Sequence, residues 1–288
     1  MSFEGHLVLA LLEGTVSGLV FALTALGLSL VFGVMRIVNV AHGEFFMLGA
    51  VIAWYFSATF GGLLPALVAA PVLVGAVAVL ADRLVLRRLG YAPESTIVAT
   101  IGLLYIIQQL VLSTYGPYAR PVVAPVYFRV DFPWFGYSGY KLIVAGLSAL
   151  LLLATWLLVS RTTLGLYMRA TQQDREMAQA FGVPVGRVYT IAFALGAALA
   201  AVAGALIVPV QQAHYLMGLD ALLTSFMVVI IGGLGSLKGT LVAGLLIGVV
   251  DGIVSVFFSP TLAKIVATIV VAFVLVLRSG GLFGDEAA

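Results

Sequence analysis

Long apolar runs separated by short polar breaks dominate the chain. Nine segments can be marked, near 7–34, 40–60, 63–82, 97–115, 140–159, 188–209, 221–236, 239–258 and 262–277. Most are roughly 18 to 25 residues long, which suits helices that cross a bilayer and satisfy their own backbone hydrogen bonds. Barrel strands would alternate with a period of two, and these runs do not. The seventh segment is short and glycine-broken, so it reads either as a full span or as a half-helix, with eight as the competing count. The pattern predicts an all-α fold: a polytopic transmembrane helical bundle of about eight or nine segments, forming a single domain over residues 1–288.

Composition agrees. With 62% hydrophobic residues, 9% charged and a mean hydropathy of +1.18, the chain has too few polar groups to cover a soluble globule of this length. Its surroundings are therefore a lipid bilayer. A net charge of +2 without a dense basic cluster excludes a nucleic-acid partner. Zero cysteines excludes disulfides and thiolate metal sites. The start, MSFEGHL, lacks a basic n-region, and the apolar run after it outlasts a signal peptide, so it reads as a retained first helix.

Charge also sets an expected orientation, because short cytoplasmic loops carry the Lys/Arg excess. Alternating nine segments puts Arg36, Arg83, Arg87, Arg88, Arg161, Arg169, Arg175, Arg187, Lys238 and Arg278 on one side, against Arg120, Arg129, Lys141 and Lys264 on the other. The first side is then cytoplasmic, with the N-terminus outside and the C-terminus inside. In the outer loop, 116–139, Trp134, Phe135, Tyr137 and Tyr140 suit an interfacial aromatic belt. That loop reads either as one resting at the headgroups or as a docking surface for an external partner.

Polar residues inside apolar runs are the candidates for chemistry. VFGVMRIVNVAHGEFFMLG, residues 31–49, carries Arg36, Asn39, His42 and Glu44. Ionisable groups at membrane depth are costly and usually mark a pathway, a cavity or a membrane edge. On one continuous helix at ~100° per residue they would spread over roughly 200°, too wide for one protected face. A break is the better reading, near the cytoplasmic side, with Gly33 and Gly43 permitting irregular backbone. Such a break serves either as a gate on the pathway or as a plain loop at the membrane edge.

His42 and Glu44 form only an HxE, without the further ligands of a metal hydrolase, so no metal site is assigned. No His/acid constellation supports an enzyme. In IGGLGSLKGTLVAGLLIG, Ser236, Lys238 and Thr240 miss the phosphate-loop spacing because Leu237 precedes Lys238, so the chain carries no nucleotide site. Gly235 and Gly239, then Gly244, Gly248 and Gly252, recur every four residues and suit close helix packing in lipid. Asp251 on that face is a buried-carboxylate candidate with a packing or cytosolic-cavity role. Glu13 reads either as a helix-contact or cavity residue or as an interfacial one, and His6 and His214 are expected near the outer surface.

The long inner loop, 161–187, contains its own helix signals. Thr171 three residues before Asp174 is a capping-box pattern, and Gly182 followed by Pro184 is a stop. A short helix over 172–181 is expected to lie along the membrane, with Asp174, Ala178 and Phe181 on one face. It reads either as a partner-docking element or as a surface amphipathic helix.

That loop, with Asp174, Ala178 and Gly182 at this spacing, looks like the coupling segment of ABC-importer permeases, where a short helix docks on the cytoplasmic ATPase. GLSLVFGVMRIVNVAHGEFFMLGA at 27–50 closely resembles the signature of the branched-chain amino-acid ABC permeases, specifically the smaller of the two paired membrane subunits. The glycine tract at 231–248 and RSGGLFG at 278–284 extend the resemblance over most of the chain. The family commonly has proline after that arginine, and this chain has Ser279, which touches only the helix exit.

The resemblance implies a bacterial inner-membrane protein paired with a second homologous permease, two cytoplasmic ATPase subunits and an external substrate-binding protein. ATP and Mg would be bound by those ATPases, with no cofactor in this chain, and Asp174, Ala178, Phe181 and Gly182 would make the ATPase contact. Branched-chain or related hydrophobic amino acids are the implied cargo, although related permeases handle urea or short amides. The rival from another class is a stand-alone channel or secondary transporter for a small polar solute. It would need ionisable groups near the bilayer midplane, and the clusters here fall at expected segment ends.

Overall fold

Ser2 starts the first helix by accepting the Gly5 N–H on its hydroxyl, and the helix runs without interruption to Met35. This is α1 (Phe3–Met35) of a computed structural model that describes residues 2–278 and 280–283; Ser279 lies outside the described residues. Then come α2 (His42–Phe60), α3 (Leu64–Ala81), which widens into a π-helical turn over Asp82–Leu86, and α4 (Pro93–Tyr115). A small antiparallel hairpin, β1 (Arg129–Asp131) and β2 (Gly136–Ser138), leads into α5 (Gly139–Arg161). The short α6 (Thr163–Gln173) and α7 (Arg175–Ala180) precede α8 (Val185–Gln211), α9 (Met217–Gly232), α10 (Leu237–Phe257) and α11 (Pro260–Leu277).

Among the described residues, 8 helices are long and apolar enough to cross a membrane. The exception at the seventh segment is α9, whose 16 residues span ~24 Å at 1.5 Å each, short of a bilayer core. The result is an all-α, multi-pass bundle.

Helix α1 is the axis of that bundle, lined by α10, α8, α9 and α5. Small residues set its closest approaches. A Cβ on Gly14 would sit 2.7 Å from the Gly248 carbonyl oxygen, and one on Gly18 would sit 2.9 Å from that of Gly244. A Cβ on Gly248 would land on the Gly18 backbone, and one on Gly252 would lie 2.5 Å from the Gly14 nitrogen. In lipid, apolar side chains gain little by meeting each other, so backbone-to-backbone packing of this kind supplies much of helix association. Gly239 faces Gly232 and Gly235 faces Gly33, so the whole glycine series is used in packing. On the other side of α1, Gly27 meets Gly196, and α2 crosses α8 where Gly49 meets Ala201 and Gly204 meets Phe46.

The bundle has two distinct ends. At one, α6 lies against α1, α5 and α8, and α7 lies against α6 and α8. The opposite end carries the hairpin, the Glu13–Lys141 ion pair at 2.6 Å, and Arg120, whose backbone pairs with Ala213 while its guanidinium stacks on Trp54. The Lys264–Asp220 pair also belongs there. Chain topology separates the ten basic residues from the other four along these two ends, as the alternation of segments predicts.

The aromatic belt is corrected. Tyr137 and Tyr140 are buried: Tyr140 donates its hydroxyl to the Leu206 carbonyl at 2.6 Å, and the Tyr137 ring lies under the Lys141 ammonium. Burial pushes the Tyr137 hydroxyl well above the usual phenol range. Of the four, only Trp134 is substantially exposed, because the hairpin folds the others back onto the bundle. Tyr140→Phe should cost about 1 kcal/mol by removing this buried hydrogen bond, read as a lowered midpoint of thermal unfolding in detergent.

Candidate functional site

Helix α1 ends because Arg36 turns left-handed, at φ 52°, a conformation that L side chains adopt at a cost. Residues 36–41 are non-helical, and at ~3.3 Å per residue such a stretch can climb up to ~20 Å. It does climb. The Val40 N–H donates to Thr100 Oγ1 on α4 at 3.2 Å, and His42 Nε2 donates to the Thr24 carbonyl of α1 at 2.9 Å. About 16 Å of helix separates Thr24 from Met35, so α2 starts near the middle of the bundle.

The four polar residues of this segment therefore do not share one place. Arg36 stays at the α6/α7 end, where its guanidinium donates to the Gln172 carbonyl at 3.2 Å. Asn39, His42 and Glu44 are buried deep inside. Asn39 accepts the Ala41 N–H at 3.1 Å and shapes the turn into α2. Glu44 lies beside Gly218 in the first turn of α9, where a helix N-terminus favours a carboxylate. Its two oxygens, Nδ1 of His42 and Nδ2 of Asn39 have no hydrogen-bond partner among the described residues.

Two expectations change with this. The break exists, but only Arg36 is at the membrane end, so the premise that the ionisable cluster avoids mid-depth fails. Gly33 and Gly43 are both helical; they admit Gly235 and Gly218 to close packing, and the irregular backbone begins at Arg36 instead.

Above the start of α2 lies a cavity of about 370 Å³. Thr24, Phe46 and Ser225 line its deeper part, and Gln211, His214, Asp220, Pro260 and Lys264 line it toward the hairpin end. Ser17, Asp251 and Ser255 complete the polar wall, with Val20, Phe21 and Ile207 among the apolar one. Its Ser17-to-Thr24 wall is ~10 Å tall at the helical rise. A mixed pocket of this size suits a small amphipathic solute. Asp251 thus faces a cavity reaching the hairpin end, not one at the α6/α7 end as the sequence suggested.

The cavity is assembled from α1, α2, α8, α9, α10 and α11, so no short motif encodes it. The available signal was small: Asp220 with Thr224, and Asp251 with Ser255, place polar groups one turn apart on otherwise apolar helices.

At the other end, 163–180 forms two helices where one was expected over 172–181. Thr162 caps α6 by accepting the Gly165 N–H, and Asp174 caps α7 by accepting those of Glu176 and Met177, both at 2.9 Å. Thr171 is not a cap; its hydroxyl bonds back to the Tyr167 carbonyl inside α6. Gly182, at φ 81°, follows the stop as expected. Asp174, Ala178 and Phe181 do not form one face, because α7 closes after a single long turn and a half. Ala178 packs inward, whereas Phe181 is 83% exposed. The pair is fastened to the bundle by Arg36 on Gln172, by Arg169 on the Val159 carbonyl and by Gln172 reaching toward Gly235.

Residues 10–275 match the family model for the permease component of branched-chain amino acid transport systems. The chain belongs to that family. This permease is 27% identical over 250 residues to the high-affinity branched-chain amino acid permease LivH of Escherichia coli, covering 81% of this chain and 80% of that one. It is 28% identical to a probable LivH of Methanocaldococcus jannaschii, covering 77% and 73%, and 26% identical to BraD of Pseudomonas aeruginosa, covering 83% of each. No solved structure matches it. The permease is therefore a multi-pass membrane component of a transport system.

Proposed function

We propose that this permease forms one half of the pore of an ATP-driven importer for branched-chain or related hydrophobic amino acids. The observation that carries this reading is the family match over residues 10–275. A second permease, two ATPases that bind ATP and Mg, and an external binding protein complete the assembly. The basic α6/α7 end faces the cytoplasm and the hairpin end faces outward, as the Lys/Arg excess favours. The cavity then receives solute from the binding protein.

Alternating access follows from how the ends are joined. An ATPase that moves α6 and α7 pulls on Arg36 through Gln172, and Arg36 begins the stretch that supports α2 below the cavity. Conformational energy reaches the pore only if these contacts differ between the inward and outward states. Glu44, His42 and Asn39, with polar atoms unpaired in this state, are positioned to gain or lose partners as that floor shifts.

Reconstituted with its partners in proteoliposomes, the permease should import leucine only with both ATPase subunits and ATP present. Uptake without them would overturn the reading in favour of a channel or secondary transporter. Uptake of urea or a short amide under ATP, with leucine unable to compete, would leave the importer but reassign its cargo.

A further inference from the structure

We propose that the cavity reads the zwitterion of a free amino acid: the Asp251 carboxylate takes the ammonium and the Lys264 ammonium takes the carboxylate. The inference rests on the importer reading above and adds the residues that recognise the cargo.

Three charged side chains line the cavity, on three different helices: Asp220 on α9, Asp251 on α10 and Lys264 on α11. Asp220 and Lys264 are paired at 3.1 Å, with both side chains about two-thirds exposed at 65% and 68%. Such a pair is held weakly and exchanges readily for another partner. Asp251 has no ion-pair or hydrogen-bond partner among the described residues, although it sits in the polar wall of the cavity. A carboxylate in a partly enclosed site is stabilised by an incoming cationic donor far more than by a neutral one.

Binding that donor leaves the ligand's own negative end in the same space, where Lys264 is the one basic side chain in the wall apart from the imidazole of His214. Val20, Phe21, Phe46 and Ile207 cover what remains, an apolar wall suited to an aliphatic side chain. A neutral solute such as urea satisfies neither charge, and a hydrophobic amine or acid satisfies one. A free amino acid with an aliphatic side chain satisfies both and the apolar wall as well.

The test is direct binding to the assembled transporter in nanodiscs, without the binding protein, so that the pore's own preference is read. Tritiated leucine is displaced by leucine, by 2-hydroxy-4-methylpentanoate, which lacks the ammonium, and by leucinamide, which lacks the carboxylate. Leucine should compete about tenfold better than either analogue, the scale of one charge-assisted hydrogen bond. Asp251→Asn should erase the preference over the hydroxy acid while keeping that over the amide, and Asp251→Glu should restore it. Lys264→Gln should do the converse. A merely structural role for either residue would weaken all ligands alike.

Equal competition by all three ligands at the wild-type transporter overturns the assignment, and needs no variant to fold. So does unchanged discrimination in Asp251→Asn. A transporter that binds none of the three yet imports urea under ATP overturns the amino-acid reading itself, which separates the two failures.

Discussion

Gly248→Leu should remove the folded permease from the membrane. A Cβ at this position lands on the backbone of Gly18 and lies 2.5 Å from the Gly14 carbonyl oxygen, so no rotamer change can relieve the overlap. Helices α1 and α10 must separate, and with them goes the longest glycine contact in the bundle, from Ala10 against Gly252 to Ala22 against Gly244. Overpacking a close-packed core commonly costs about 1–3 kcal/mol. Here the obstruction is backbone on both sides, and the loss should reach at least ~3 kcal/mol, a large part of a typical stability. The readout is monodisperse protein recovered in detergent together with its unfolding midpoint. Gly102→Leu on α4 is the control, because a Cβ there meets nothing within 4 Å. It should behave as wild type, within about 0.5 kcal/mol. Normal recovery of Gly248→Leu would mean that α1 and α10 do not pack as described.

Phe181→Asp should abolish leucine uptake and the stimulation of ATPase activity while leaving the permease itself intact. Phe181 is 83% exposed at the end of α7, so its removal deletes almost no contact within this chain. An exposed aromatic at the tip of a helix fastened to the pore is suited to fill a pocket on a partner, and such anchors often carry more than 2 kcal/mol of an interface. A carboxylate in that pocket would be buried without a counter-charge, which adds to the loss. Affinity for the ATPase should fall by at least about thirtyfold, measured by co-purification or by surface binding. Asp174→Arg attacks the same element from within, since the two N–H groups it caps at the start of α7 lose their acceptor. Undiminished uptake in both variants would remove α7 from the coupling contact and leave α6 as the remaining candidate.

What could be read from the chain follows the length scale of the physics involved. A bilayer imposes its thickness on every crossing helix, so runs of apolar residues mark the elements directly. Segments expected at 63–82, 140–159 and 262–277 appear as Leu64–Ala81, Gly139–Arg161 and Pro260–Leu277. Glycines at four-residue spacing likewise imply a face, because the helical period is local. The partition of basic residues between two ends needs only the order of segments. Even the break before α2 was legible, since four polar groups cannot share one protected stripe.

The candidate site was far less legible. Nothing near Ser17, Asp220, Asp251 or Lys264 in sequence says that they meet, because α9 and α10 converge by packing against α1 and α11 joins them only by packing on α10 and α9. The depth of His42 and Glu44 was hidden for a related reason. Position in sequence places them just after a helix end, but an extended stretch returns the chain along α1 to the level of Thr24, as the hydrogen bonds of Val40 to Thr100 and of His42 to Thr24 reveal. In the same way, Ala178 and Phe181 read as one face until α7 proves too short to carry a periodic pattern that far.

By itself, then, the sequence determined the membrane habitat, the order and approximate extent of the long apolar helices, the glycine faces and the family, since each depends on composition or on local periodicity. The tertiary structure alone decided which polar groups share a cavity and how deep the segment after Arg36 returns. Those depend on where separate helices cross, and in lipid that is settled by close backbone packing at a few glycines rather than by any pattern within one helix.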